Sequence, residues 1–275
     1  MIWLTLIVFG LCLGSFVNAL VWRLHEQEDL GSKKDKKTAT YREQLSITTG
    51  RSMCSHCHHT LAAIDLVPLF SWLLLRGKCR YCHHTIEDTP VPEVLLAVLF
   101  VLSYVWWPYV LHGVGLYDFI FWLIFLVGFM ALALYDLRWQ LLPNKLVFPL
   151  IGLAIVQLVG QLVHYQVGWQ GLVGALWGVL FASGIFYGIF RISRGAWIGG
   201  GDVKLGVVLG ILLGGPLMSL LMLFVASCLG TVVGLPFLLA GRRQMRIPFG
   251  PFLLAATVIV MLFGASIISW YKAQF

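Results

Sequence analysis

Two aspartates and four cysteines hold most of the chemistry that can be read from this 275-residue chain. After Glu93 only three acids remain, Asp118, Asp136 and Asp202, all in or beside long apolar runs. A carboxylate is costly in such surroundings, so each needs a reason to be there. Asp118 lies at the outer end of its run, shortly after Leu116, where a solvated interfacial carboxylate is the ordinary expectation and no chemistry is assigned. Asp136 closes the run Ala131-Leu-Ala-Leu-Tyr-Asp136-Leu-Arg-Trp-Gln-Leu-Leu-Pro143-Asn144, and Asp202 sits in Gly199-Gly200-Gly201-Asp202-Val-Lys204-Leu205. Two carboxylates brought together share one proton, because like charges a few ångströms apart do not both ionise. One then activates water as a base, and the other protonates an amide leaving group or polarises its carbonyl. Taken singly, Asp136 reads equally well as an interfacial charge paired with Arg138, and Asp202 as a helix N-cap after a flexible triglycine. The triglycine favours chemistry, since residues without side chains let another backbone approach closely. Gly199, Gly200, Gly201 and Lys204 are accordingly the candidate substrate-binding loop.

The six cysteines are of two kinds. Cys12 and Cys228 lie inside apolar runs, where a free cysteine behaves as a small hydrophobe. The others form Cys54-Ser-His-Cys57 and Cys79-Arg-Tyr-Cys82, two pairs separated by 21 residues. That is close to the spacing of roughly 15–20 residues between Cys-x2-Cys pairs that close a tetrahedral zinc site. A pair of disulfides is the rival, disfavoured if this segment lies in the reducing cytoplasm. His56, His58, His59, His83 and His84 crowd the same pairs as solvated neighbours, and one of them could replace a cysteine as ligand. A structural site has all four positions filled, so this zinc should hold its segment together rather than activate water.

The elements that must position these groups belong to a membrane protein. The chain is 59% hydrophobic and 11% charged with a mean hydropathy of +0.87, against about 25% charged in a soluble domain. Its apolar runs reach membrane-spanning length, which a soluble core does not need. The net charge of +7 is expected to report loop orientation rather than nucleic-acid binding. The first run, Met1 to Trp22, has neither a basic leader region nor a small-x-small cleavage site, so a retained helix is expected. Further runs lie at roughly 94–111, 116–135, 146–164, 168–190, 203–215, 217–240 and 249–271. The fold class is thus an all-α polytopic membrane protein of about eight transmembrane helices. A small zinc-binding insert stands between the first and second.

Three parts follow: residues 1–22 as the first transmembrane helix, 23–92 as the insert, and 93–275 as a multi-helix membrane domain carrying both aspartates. The insert holds most of the polar residues, and its first half bears Lys33, Lys34, Lys36 and Lys37, as a flexible or membrane-surface segment would. Cytoplasmic loops retain Lys and Arg. With the N-terminus outside, the insert and the loops bearing Arg138 and Lys145, then Arg191, Arg194 and Lys204, then Arg242, Arg243 and Arg246 all face the cytoplasm, leaving Lys272 outside. Both aspartates then fall on that side. The run 203–215 is short of the ~20 residues of a perpendicular span and reads as a partial or re-entrant helix. Gly10 and Gly14 stand at the spacing of close helix packing.

Several motifs together resemble the type IV prepilin peptidases, integral-membrane aspartic proteases of the GxGD class. They are Gly199-x-Gly201-Asp202 followed by Val-Lys-Leu, Asp136 with Leu142-Pro143, the paired cysteine insert, Gly14-Ser-Phe-Val-Asn18-x4-Arg23, Pro68-x2-Ser71-Trp72 through Arg76-Gly77-Lys78-Cys79-Arg80-x-Cys82, and Ile247-Pro248-Phe249-Gly250-Pro251. The resemblance covers nearly the whole chain. It implies an inner-membrane enzyme that cuts the short basic leader from prepilins or pseudopilins on the cytoplasmic side, with Asp136 and Asp202 as the catalytic pair. It also implies N-methylation of the new N-terminal residue with S-adenosylmethionine, with Glu93 as the candidate cofactor-site residue. Membrane lipids are the other implied partner, and nucleic acid is not one. Three positions depart from the family pattern: Asn144 stands where Leu-Pro-Asp is more usual, Thr89-Pro90-Val91-Pro92-Glu93 replaces a more usual Tyr-Pro-Leu-Val-Glu, and the lysine-bearing segment is expanded. These bear on methyl transfer more than on cleavage. A transporter, or a zinc-bearing assembly scaffold without peptidase activity, is the alternative. A transporter would normally show repeated halves, and no internal repeat is read in the chain.

Overall fold

The computed structural model describes residues 1–32, 41, 45–47, 50–86, 88–164, 168–241 and 247–274. The lysines expected in a membrane-surface segment, and the loop carrying Arg242, Arg243 and Arg246, lie outside the described residues. The chain divides into two compact units, Met1–Val105 and Trp106–Phe275.

In the first unit, α1 (Ile2–Asp29) packs against α3 (Val91–Val105), with the insert and its short helix α2 (Phe70–Leu74) between them in sequence. Gly10 and Gly14 bring the two backbones into contact: a Cβ on Gly14 would lie 2.7 Å from the Pro92 carbonyl, and one on Gly10 would strike Ala97. This is the packing their spacing implied. The apolar run ends at Trp22, but the helix continues to Asp29. Arg23 makes that possible by donating to the carbonyls of Ser46 (3.0 Å) and Gly50 (3.2 Å), so the buried guanidinium ties α1 to the insert. The run expected at 94–111 is helical over Val91–Val105. It begins earlier because proline is tolerated in a first helical turn, and ends before Trp106-Trp107-Pro108, where proline disfavours helix in the residue before it.

The second unit comprises α4 (Val114–Trp139), α5 (Asn144–His164), α6 (Trp169–Val179), a π-turn (Leu180–Gly184), α7 (Ile185–Ser193), α8 (Gly200–Leu213), α9 (Pro216–Leu239) and α10 (Gly250–Lys272). The segment from α6 to α7 is one continuous apolar rod. Counting it once, the described residues of the two units hold six helices long and apolar enough to cross a membrane, plus the shorter α3. At 14 residues, α8 is about 21 Å long, short of a hydrocarbon core of roughly 30 Å. It survives as a short helix because α5, α6, α9 and α10 surround it and Leu205, Val208 and Leu209 are fully buried. The short run expected at 203–215 is therefore an inner helix of the unit, beginning slightly earlier at Gly200.

Candidate active site

Asp136 lies one turn before the end of α4, which stops at Gln140 in the left-handed conformation with its N–H bonded to the Asp136 carbonyl at 2.8 Å. The Asp136 side chain is buried, with 5% of the residue exposed. Its carboxylate accepts the backbone N–H of Gly250, the first residue of α10. The first N–H groups of a helix have no partner within it and carry its positive end, which suits them to a carboxylate. A Cβ on Gly250 would stand 2.5 Å from Asp136 Oδ2, so the contact requires glycine.

Asp202 is in the first turn of α8, and the N-cap is Gly199 in extended conformation. The reading of Asp202 as an N-cap is therefore corrected: the cap position precedes it, and its half-buried carboxylate lies within electrostatic reach of Asp136 instead. The position of α8 is set by glycines at four-residue spacing after the aspartate. Gly206, Gly210 and Gly214 meet Ala182, Gly178 and Gly174 backbone to backbone. The Ser183 hydroxyl in the π-turn adds a 2.8 Å bond to the Val203 carbonyl. Asp202 stands in the first turn of the same helix, so the contact that seats α8 also fixes where Asp202 stands.

Leu142 joins these pieces. A Cβ on Gly201 would meet Leu142 Cβ at 2.8 Å, and one on Gly250 would lie 3.8 Å from Leu142 Cδ1. Of the triglycine, Gly201 thus makes room for a neighbouring loop, while Gly199 and Gly200 face freer space. Lys204 turns to α5, donating to Asn144 Oδ1 at 2.7 Å and lying 5.6 Å from the Phe148 ring centre. In the sequence Gly250 and Leu142 are motif letters without a chemistry of their own. The usable signal was a glycine followed by proline at the start of an apolar run, which leaves a helix-end N–H unpaired. Asp118 stands apart, accepting from Gln157 (3.0 Å) and Gln161 (2.7 Å), and is half-buried rather than simply solvated.

The four insert cysteines come together, with all four sulfurs within 4.8 Å of one another. All are free thiols, and Cys54 and Cys82 sulfurs are 3.9 Å apart. That is near the ~3.8 Å edge of a tetrahedron with ~2.3 Å metal–sulfur bonds, so the set fits a zinc-like ion. Both pairs use the same knuckle. Cys54 N–H bonds the His59 carbonyl (3.0 Å) as Cys79 N–H bonds that of His84 (2.9 Å), and His58 and His83 are both left-handed. The sequence spells this repeat as Cys-x2-Cys-His-His-Thr, ending at Thr60 and at Thr85. Burial opposes ionisation of Cys79, but the N–H groups of Cys82 and Tyr81 and neighbouring thiols outweigh it and hold the thiol down to about 7. The His84 N–H favours the Cys82 thiolate, but desolvation and the other thiols push it up to about 12. The histidines stack outside the cluster, His56 on His84 and His59 on Tyr81.

Glu93 lies in the first unit, in the first turn of α3, and is 8% exposed. Its Oε2 accepts the Leu69 N–H at 2.6 Å, and the Ser15 side chain also bonds it. It lines a partly open cavity of about 380 Å³ between α1, the insert and the start of α3.

Comparison with known proteins covers nearly the whole chain. Residues 8–107 match the model of the bacterial peptidase A24 N-terminal domain, and 123–235 that of the type IV leader peptidase family. Among its relatives is a prepilin leader peptidase/N-methyltransferase of Bacillus subtilis, 32% identical and covering 97% of this chain and 96% of the relative. Proteins of the same name from Aeromonas hydrophila (30% identical, 98% and 93% covered) and Pseudomonas aeruginosa (31%, 96% and 91%) are also similar. No solved structure matches. With a family model centred on the aspartate-bearing helices and full-length relatives at this identity, the chain belongs to the type IV leader peptidase family.

Proposed function

We propose that this protein cleaves the leader peptide of prepilin-type substrates with Asp136 and Asp202 as its catalytic pair, and then methylates the new N-terminal amine. The observation that carries the reading is the convergence of two acids far apart in sequence, one held by the Gly250 N–H and the other within reach of its charge. The helix-end N–H favours negative charge on Asp136, which takes a proton from water as the water oxygen attacks the scissile carbonyl. Asp202 gives its proton to the amide nitrogen as the C–N bond breaks. The proton gained by Asp136 then returns to Asp202, restoring the pair. Gly199 and Gly200 leave room for the substrate backbone, and Lys204 borders that loop.

Cys54, Cys57, Cys79 and Cys82 hold a structural zinc. S-Adenosylmethionine, when bound, supplies the methyl group as an electrophilic carbon that the amine lone pair takes from sulfur. The protein acts as three parts, a first span over residues 1–22, a zinc insert over 23–92 and a membrane peptidase over 93–275. It lies in the inner membrane with the N-terminus outside and both the insert and the aspartates facing the cytoplasm. The near-full-length match to proteins named for leader cleavage leaves the transporter and scaffold readings without support.

Purified wild type should trim a prepilin leader. Asp136→Asn and Asp202→Asn should each lose cleavage by about 10²–10⁴-fold, the usual contribution of a positioned acid or base. Mass spectrometry of the product N-terminus reads cleavage and methylation together. A variant that still cuts at the wild-type rate removes that aspartate from the catalytic pair.

A further inference from the structure

We propose that the insert does not stand clear of the bilayer: the apolar face of residues 64–74 is seated among lipid acyl chains, with Arg76 and Lys78 at anionic headgroups. The occupant of this exposed face is the membrane itself, and the insert is a membrane-embedded foot as well as a zinc domain. All the residues concerned belong to the first unit.

Two observations set the depth of that segment. The first is its level along α1, a helix long and apolar enough to cross a membrane, whose apolar run ends only at Trp22. Gly14 meets Pro92 and Glu93 backbone to backbone, and from Gly14 to Trp22 the helix climbs about 12 Å. Glu93 Oε2 accepts the Leu69 N–H at 2.6 Å, so Leu69 lies within a side-chain length of the Gly14 level, inside the apolar run. Asn18, also within the run, donates to the carbonyl of Thr89 in the insert at 3.1 Å. The second is the length of α3. Its 15 residues span about 22 Å of a hydrocarbon core of roughly 30 Å, so beside the last turns of α1 the insert fills the remaining thickness. Backbone at such depth must have its polar groups met within the protein. The N–H groups of Phe70, Ser71, Leu73 and Leu75 go to the carbonyls of Pro68, Val67, Leu69 and Ser71, and that of Leu69 to Glu93.

The surface of the segment suits lipid rather than water. Ile64, Leu66, Val67, Phe70, Leu73 and Leu74 are exposed, Phe70 at 62% and Leu74 at 80%. So many large apolar side chains left open in one short stretch mark an interaction surface. Its one acid, Asp65, has a buried side chain paired with Arg80 at 2.7 Å. At the same level of the two flanking helices Phe16, Val91, Val94 and Leu95 are exposed in the same way, so the apolar face continues the lipid-facing surface of the spans. Past Leu75 the character changes. Arg76 and Lys78 are exposed and have no ion-pair partner among the described residues. Basic side chains reaching from an apolar patch toward anionic headgroups are the pattern of a segment that lies in a membrane interface.

The test is fluorescence quenching of the full-length, zinc-loaded chain, one copy per nanodisc of phosphatidylcholine and phosphatidylglycerol. With Cys12→Ala and Cys228→Ala in place, a nitrobenzoxadiazole group is attached at Phe70→Cys, Leu73→Cys or Leu74→Cys. The control is Arg51→Cys, an exposed position beside Gly50, whose carbonyl Arg23 holds beyond the apolar run. Emission at 70, 73 and 74 should shift to the blue, be quenched by lipids carrying a nitroxide on the acyl chain, and lose its response to aqueous iodide. Emission at 51 should respond to iodide and not to the nitroxide lipid. Zinc content and elution profile equal to wild type show that each labelled variant is folded, and three positions keep the test decisive if one of them is not. Iodide quenching at 70, 73 and 74 as strong as at 51 puts the face in water and overturns the proposal. Protection from iodide without nitroxide quenching overturns it too, because with one copy per disc and no substrate present the cover is then another part of this chain.

Discussion

Asp136 depends on a residue that has no side chain. A buried carboxylate needs a donor, and the Gly250 N–H supplies it only because nothing projects from Gly250 toward Oδ2. In Gly250→Ala the new Cβ would have to share space 2.5 Å from that oxygen, so the carboxylate must move. A shift of about 1 Å at a reacting group can cost about 10²-fold, so kcat/KM for leader cleavage should fall by about that factor. The displaced carboxylate also loses its donor, so a fall in melting temperature of the size that one unsatisfied buried group causes, about 1–3 kcal/mol, should accompany the loss. Cleavage at the wild-type rate would refute the positioning role. Both aspartates were legible in the sequence, because acids are rare in apolar surroundings and each must be explained. Gly250 was not, because Gly-Pro before an apolar run reads first as a turn, and only the fold reveals which carboxylate its N–H meets. Lys204 was read as part of the substrate loop, yet its ammonium is bonded to Asn144, an oxygen acceptor at the position where the family more often has an acid.

For α8, the decisive property is how closely it approaches α6. Gly206, Gly210 and Gly214 continue the four-residue spacing that begins at Asp202, and a Cβ on Gly210 would lie 2.6 Å from the Gly178 carbonyl carbon and Val179 Cα. Those are backbone atoms within a helix, which cannot yield as a flexible side chain does. Gly210→Val should therefore part the two helices, cost at least about 1–3 kcal/mol as overpacking does, and carry Asp202 away from Asp136. A lowered melting temperature in detergent together with lost cleavage is expected. The matching change at Gly152, which faces open space on α5, should leave both unaltered. If Gly210→Val melts and cuts like wild type, the glycine contact does not set the aspartate. The apolar runs located nearly every helix, because hydropathy alone decides what can lie in lipid. Hydropathy could not show the π-turn at Leu180–Gly184, whose residues are as apolar as their neighbours, nor the extension of α1 through Arg23, whose charge is met by carbonyls distant in sequence.

Across the whole molecule, helix order and charge give the same topology. In the second unit Asp136 ends α4, Leu142 follows it, Asp202 opens α8 and Gly250 opens α10, and these four residues gather at one end. Arg138, Lys145, Arg191 and Arg194 belong to the helix ends or loops of that same side, by the alternation of successive spans. Positive loops stay in the cytoplasm, so that end should face inward and the turn between α5 and α6 outward. The expectation can be checked in intact cells with a membrane-impermeant maleimide, after the exposed Cys12 and Cys228 are replaced. Gln170→Cys, at the start of α6, should label from outside. Ala196→Cys, in the exposed loop between α7 and α8, should label only after the membrane is opened. The reverse pattern would turn the protein over and put Asp136 and Asp202 on the outer face, where a leader still held in the cytoplasm could not reach them.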